Sequence, residues 1–513
     1  MKLKISIIIA VFALAAAACL KNEIVKDINL DKMDLRSLVV SAPIAKVHIP
    51  LAATMEKHLD FKELFVDKDG IVCIKYVQSD GIKWDEDIDL RSYSNNWTIP
   101  VSGGVMTGGT KFKVHLVSTD EADSDVKEAY LTAGKISFTL SVSGGLSGNI
   151  IVTIPELTKD GVAFSQTIPL SSSGAPNVFS LKGYKIATDN NRDLNVQFAG
   201  TISGSGSLNV AFALSEMEES YLSGYFGKMT RNENIKMDID FFDELDFKGV
   251  IGIKDIKMDA VITSRVGLPM SVKADIFFTN EAGLDKQLEL TPPLDFSVNG
   301  ASNASAPVKK SFSTTLPVIE FGGEAGYPAK VKIEVEGIGN PNGNPAGNVE
   351  NFIGKSAVDS LVKVDFTLTV PLHIKIGEYS RNDTIGFDYN DIMGNSESNI
   401  NVNNVEYLYV NIVVDNGLPF DIGLGATAIN EQGTYKSPIL PVTSILADDR
   451  GKRIEIKLEK NQLEEFRTKE VKKIILQTTG KTKNAEYVKV KDTAFLDISV
   501  SVGEAKLNIP SKF

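Results

Sequence analysis

KVDFTLTVPLHIKI, residues 363–376, is the stretch that decides the fold class. With Val362 ahead of it, Val362, Phe366 and Leu368 share one face, while Lys363, Asp365 and Thr367 share the other. Side chains alternate across a strand but recur every 3.6 residues around a helix, so a period of two predicts a half-buried strand. Working outward, similar segments occupy 105–117, 135–142, 150–154, 194–199, 329–335, 405–414 and 494–502. They are rich in Val, Ile, Thr and Phe and are separated by Gly, Asn, Asp, Ser and Pro, the residues of turns. Helical spacing is confined to LAATMEKHL (51–59), SEMEESYLSGYFG (215–227), NVENFIGKSAVDSL (348–361) and KNQLEEFRT (460–468). The expected fold is mainly β: tandem β-sandwich-like units with a few short helices.

A repeat organises these strands. GLPMSVKADIFFTNEAG (267–283) and GLPFDIGLGATAINEQG (417–433) align without a gap, sharing Gly-Leu-Pro at the start and Asn-Glu-x-Gly at the end. GLSGNIIVTIPELTKDG (145–161) is a weaker copy. Proline cannot donate to a ladder, so it marks a strand entry or bulge, and the closing glycine suits a turn needing positive φ. The pattern predicts strand, kink, strand, turn. On this basis the mature chain divides into β units over 36–214, 215–395 and 396–513, the third related to the second. GIGNPNGNPAGN (337–348) reads as a long exposed loop.

The chain opens Met1-Lys2-Leu3-Lys4, followed by an apolar run to Ala18 broken by Ser6. A charged start, a short apolar core and small residues before a break make residues 1–18 a secretory signal, too short to span a bilayer. The ending Leu14-Ala15-Ala16-Ala17-Ala18-Cys19 resembles the lipobox of bacterial lipoproteins, which implies acylation of Cys19, with 19–35 as a tether. Several acyl chains on one residue hold a protein stably on a membrane. In Cys19-Leu20-Lys21-Asn22-Glu23 there is no Asp at position 20 to act as an inner-membrane retention cue, so the outer membrane is expected. The lysine and single acid resemble part of a surface-export signal of Bacteroidota lipoproteins. Sidedness stays open between surface and periplasm, with a lean to the surface.

Loss of Lys2 and Lys4 with the leader takes the net charge from −12 to −14, and no basic cluster offsets it, which argues against nucleic acid as a partner. With Cys19 acylated, Cys73 has no disulfide partner, and its setting Ile71-Val72-Cys73-Ile74 predicts a buried thiol. His48, His58, His115 and His373 have no Cys or second His at ligand spacing. Asp67-Lys68-Asp69-Gly70 is half of a calcium loop and reads better as a hairpin turn, and Asp189–Asp193 contains Arg192 and no turn glycine. The glycine strings 102–109 and 200–210 lack phosphate-loop spacing and read as hairpin turns. Asp85, Glu86 and Asp87 beside Trp84 are adjacent, so they point to opposite faces and do not make an acid–base pair across a cleft. No nucleophile elbow occurs. No catalytic, cofactor or metal residue is assigned; the one site residue is Cys19.

SAPIAKVHIPLAATMEKHLDFKELFVDKDGIVCIKY (41–76) and YLSGYFGKMTRNENIKMDIDFFDELDFKGVIGIKDIKMDAVITSRVGLP (221–269) resemble uncharacterised β-rich outer-membrane lipoproteins of Bacteroidota. The strand–kink–strand pattern is also similar to desiccation-related late-embryogenesis β-sandwiches and to tubular lipid-binding domains. These resemblances imply a β fold and an envelope location, and they bring no activity or site residue. The expected function is a non-enzymatic, lipid-anchored binding or scaffold protein presenting β domains to an envelope protein partner. The alternatives are a binder of lipid or another apolar ligand, using Tyr221, Tyr225 and Phe226, and a glycan-binding surface lipoprotein.

Overall fold

The computed structural model describes residues 38–53, 64–82, 87–121, 123–170, 174–239, 249–280, 282–290, 293–303, 306–322, 326–355, 362–386 and 405–507. The leader, Cys19, the tether, His58, Trp84, Asp85 and Glu86 lie outside these residues. The chain is mainly β, built from antiparallel sheets. In Val362–Pro371 the alternation holds: Val362, Val364, Phe366 and Leu368 are buried, and Lys363 is exposed.

Of the expected helices, Lys460–Thr468 forms, with Leu463 and Phe466 buried. Residues 51–53 are helical, and 54–59 lie outside the described residues. The helix expected at 215–227 is corrected: up to Gly224 it is the end of the strand Asp193–Gly224, paired with Glu128–Val142 through register shifts around Glu218. Pairing overrides the helical preference of its Met, Leu and Glu residues. Within 348–361, Asn351–Gly354 is a strand, not a helix. The loop expected at 337–348 is shorter than read, because 337–339 finish the strand Pro328–Gly339 and Asn340 is buried.

Both Gly-Leu-Pro copies occupy the same place in the topology. Lys257–Ser264 and Val405–Asn416 precede them, and Met270–Asn280 and Asp421–Asn430 follow. In each, the glycine N–H donates to a phenylalanine carbonyl (Gly267 to Phe352, Gly417 to Phe495, both 2.9 Å) and that ring fills the space a Cβ would need. Leu268 and Leu418 are buried. Each closes in a turn in which an asparagine carbonyl accepts a glycine N–H: Gly283 to Asn280 and Gly433 to Asn430.

The pairings extend this likeness to three modules. In the middle module one sheet runs Val308–Thr315, Lys257–Ser264, Val362–Pro371, Val72–Ile82, and the other Met229–Asp238, Pro328–Gly339, Met270–Asn280, then Asp285–Leu288 and Leu294–Val298. In the outer module the orders are Lys452–Glu459, Val405–Asn416, Phe495–Leu507, Leu38–Pro50 and Ile319–Phe321, Gly249–Ile253, His373–Gly386, Val471–Lys481, Asp421–Asn430, Lys436–Ile445. The inner module repeats the scheme with two long bent strands, Tyr93–His115 and Asp193–Gly224, each serving both halves. Glu128–Val142 and Ser147–Lys159, the weaker copy, sit beside them.

The modules are therefore nested in the chain, and the boundaries at 36, 215 and 396 do not contain their sheets. Leu38–Pro50 completes the outer module, Val72–Ile82 the middle one, and the inner module lies between the two parts of the middle one. The sequence-based division assigned both early strands to the first unit, because local pattern carries no record of a partner some 450 residues away.

The glycine strings are corrected as well. They are not hairpin turns; they lie inside Tyr93–His115 and Asp193–Gly224, at bulges where the paired strands bend. There the backbone of 143–149 lies antiparallel against that of 200–206, and a Cβ on Gly206 would overlap the Ser143 carbonyl oxygen. We expect Gly206→Ala to cost about 3 kcal/mol, since a backbone atom cannot step aside. Gly347→Ala, with nothing near its Cβ position, should cost about 1 kcal/mol through its positive φ alone. Urea denaturation of both variants checks the difference.

Candidate functional site

The chemistry-bearing side chains gather at the seams between modules. At the inner–middle seam, Asn351–Gly354 pairs with Tyr221–Gly224 of the inner module. Two buried amides are mutually satisfied there. Asn351 donates to Gly267 (3.1 Å) and Asn340 (3.0 Å), while its carbonyl accepts from Phe226 N–H (3.1 Å). Asn340 donates to Gly227 (2.7 Å). Buried polar groups without partners are costly, so this network specifies how the modules meet.

Charges reinforce it. Lys355 of the middle module lies between Asp89 and Glu219 of the inner one, 2.7 Å from Glu219, whose side chain is 1 % exposed. Burial pulls the Lys355 ammonium down, but its hydrogen bonds to the two carboxylates outweigh this and hold its pKa above the usual lysine value. Arg231 reaches Asp87 at 2.8 Å, and Glu350 takes Lys127 and Arg192. Asp87 thus belongs to the seam.

An aromatic row crosses the same seam. Tyr130 (42 % exposed) stands 5.2 Å from Tyr221, which stacks on Phe352 at 6.4 Å and 16°. Lys185 lies 5.2 Å over the Tyr130 ring, pairs with Glu128, and Glu128 accepts from the Tyr130 hydroxyl at 2.8 Å. The Lys185 ammonium is the nearest cation to Glu128, whose pKa sits below the usual carboxylate value although burial opposes this. Ring faces are thus occupied by an ammonium, by one another and by the Gly267 contact. Trp97 is buried between Phe112 (4.5 Å) and Phe212 (5.3 Å) and offers no platform.

The other sequence candidates are structural as well. His48 stands opposite Asp497 and pairs with it; His115 stands opposite Asp193 at 3.3 Å; His373 joins Asp255 of the middle module at 2.6 Å. Asp67 closes the hairpin between Leu64–Val66 and Val72–Ile82, its carboxylate accepting from Asp69 and Ile71 N–H. Asp189 accepts likewise from Asn191 and Asp193. Tyr225 and Phe226 point into the core while Tyr221 faces outward, so the three do not line one groove. Two cavities in the middle module, lined by Tyr76, Phe278 and Phe321 and by Phe296, Phe312 and Phe366, hold about 20 Å³ each. That is room for one water and far below a ligand pocket of roughly 300 Å³. Sequence reasoning missed the seam residues Asn340, Asn351, Lys355 and Glu219. A buried Asn inside a Gly-Asn string looks like any loop residue, and Glu219 lay in a helical-looking stretch.

No family model matches the chain, and no curated protein matches it. Among solved structures it is similar to a candidate secreted protein of Parabacteroides distasonis (11 % identity, TM-score 0.29, 55 % of this chain and 89 % of that one). It is also similar to the CBM22 tandem domain of Paenibacillus barcinonensis Xyn10C (8 %, 0.13, 55 % and 93 %) and to the stem and receptor-binding domain of the spike protein P1 of bacteriophage PM2 (12 %, 0.12, 55 % and 98 %). Likenesses this distant carry no function across.

Lys355→Met should destabilise the chain by roughly 3–5 kcal/mol by leaving Glu219 buried and uncompensated, and Glu219→Gln in the same chain should restore part of it; chemical denaturation measures both. Burial pushes the Cys73 thiol up to about 11, with Asp67 adding to the effect. It should resist a thiol reagent at pH 8 in the folded protein and react at once in denaturant.

Proposed function

We propose that this protein is a lipid-anchored, non-enzymatic scaffold of the outer membrane that holds its inner module away from the bilayer for a protein partner. The observation that carries the reading is the order of the seams. The first strand after the tether, Leu38–Pro50, belongs to the outer module and runs from Leu38, beside Leu507, to Pro50, beside Phe495. The middle module meets the outer one at the Phe495 end, through Val72, Leu372 and Val490. Thirteen residues at ~3.3 Å each make that strand about 43 Å long. Val72–Ile82 adds about 36 Å from the outer seam towards the inner one. The inner module then extends from its seam to the closely paired strands near Ser143 and Gly206. Segments 101–110, 142–149 and 199–207 at that end contain no Asp, Glu, Lys or Arg, and Val105 is 64 % exposed there. Depletion of charge is a property of interface cores. The outer and middle modules are joined by several chain crossings, since Gly249–Ile253 and Ile319–Phe321 also pair into the sheet of His373–Gly386, which suits a spacer.

Between surface and periplasm, the cell-surface side is the part of this proposal that the next experiments test. Cys19→Ser should move the protein from the detergent phase to the aqueous phase and block acyl labelling. Protease on intact cells should cut within the exposed 345–348 segment. A photo-crosslinker at Val105 should give a discrete protein adduct in native membranes, and one at Glu455 of the outer module should not. Equal adducts at both positions, or none at Val105, would overturn the scaffold reading.

A further inference from the structure

We propose that the Leu38 end of the outer module is a lipid-contact surface, with Tyr407, Tyr409, Lys457 and Lys506 seated in the headgroup layer of the bilayer that holds Cys19. The inference rests on the lipid-anchored reading and names where the body meets the lipid.

The register gathers these four residues at one corner of one sheet. Leu507 has Leu38 on one side and Val405 on the other, and Lys506 has Val39 and Tyr407. Tyr407 therefore stands two strands, about 10 Å, from Val39. Across its other edge Tyr407 faces Glu459, and Tyr409 faces Lys457. The two rings are 5.4 Å apart, and the Lys457 ammonium lies 5.6 Å from one centroid and 5.8 Å from the other. The group is on the outward face of the sheet, because Ile412, Val414, Ile454 and Ile456, which alternate with it, are buried on the core side. Lys457 is exposed and the two tyrosines are half-buried. Lys457 pairs with Glu459 at 2.9 Å and Lys506 with Glu406 at 2.6 Å.

Position in the chain decides what this corner meets. The Phe495 end of the same sheet is taken by the middle module, through Val72, Leu372 and Val490. Among the described residues, no strand of another module pairs at the Leu38 end. It is also the end where the tether enters: Leu38 is nineteen residues from Cys19, a reach of at most about 65 Å. A leash of that length holds the corner at an effective concentration in the millimolar range, so a contact too weak to retain a free protein is populated in an anchored one.

The chemistry fits a headgroup layer. A tyrosine has an apolar body and a polar tip, which places it at the boundary between acyl chains and water. The lysine stems lie along apolar surface while their ammonium groups reach outward, towards lipid phosphates. Each ammonium already has a carboxylate beside it, so the corner is close to neutral. It therefore suits a zwitterionic surface and should respond little to salt, unlike a polybasic patch on an anionic membrane.

The full acylated chain is reconstituted in phosphatidylcholine vesicles, with and without bromine-bearing phosphatidylcholine as a quencher. A fluorescent label is placed at Lys460→Cys, beside Glu459 and outside the four residues, or at Val105→Cys on the inner module. Acylation consumes the Cys19 thiol and Cys73 is buried, so the label is unique. The chain should float with the vesicles, and the bromolipid should quench the Lys460 label several-fold more than the Val105 label, at low and high salt alike. Tyr407→Ser with Tyr409→Ser should bring the Lys460 label down to the Val105 level, with flotation and circular dichroism unchanged. A chain that floats but shows equal quenching at the two positions overturns the contact and leaves the anchor standing. Quenching that survives the double substitution overturns the assignment to the tyrosines. A chain that does not float fails the anchored reading itself, and the contact falls with it.

Discussion

The antiparallel register that brings Leu38 against Leu507 and Pro50 against Phe495 is the constraint on which the other relations depend. It commits the start of the body and its end to one sheet, so everything between must leave the outer module and return. The same happens at Val72–Ile82, which pairs with Val362–Pro371 and encloses the inner module. A seam crossed repeatedly resists both hinge and twist, where a single linker would leave domain motion as the default. The hydrogen bonds from Val72 to Val490 and from Leu372 to Val72 show how closely the crossings are stitched into the sheets.

The seams also use side-chain arrangements that elsewhere advertise chemistry. A buried lysine between two carboxylates, histidines facing aspartates and a lysine over a tyrosine ring are arrangements that active sites use. In this chain each closes on itself across a strand pair or a module junction. Such pairs add little net stability, because desolvation consumes much of the attraction. What they add is discrimination: a rotated or slipped seam would leave Glu219 or Asn351 buried without partners.

Strand identity was legible wherever burial is one-sided, as in Val362–Pro371, since alternation is written into consecutive residues. Gly-Leu-Pro was legible too, because close approach to Phe352 or Phe495 excludes a side chain and leaves a glycine as its mark. The Asp67 hairpin and the helix Lys460–Thr468 follow from local rules alone. The nested pairing left no such trace, since an antiparallel partner is chosen by tertiary packing and not by neighbours in the chain. Glycines 200 and 206 were misread for a related reason: the close approach of two backbones and a tight turn ask for the same residue. The functional surface was the least legible. Asn351 does not differ in sequence context from its neighbours.

Nesting has a consequence in time. The inner module is contiguous and can close as soon as its own residues are available, whereas Leu38–Pro50 is made first and has no partner until Phe495–Leu507 exists. At a synthesis rate of ~5–20 residues per second that delay is roughly 25–90 seconds. Throughout that interval an apolar strand with open hydrogen-bonding edges is exposed, the condition that invites aggregation. The outer module is thus the last to form, and a chain stalled before Phe495 would leave Leu38–Pro50 unpaired.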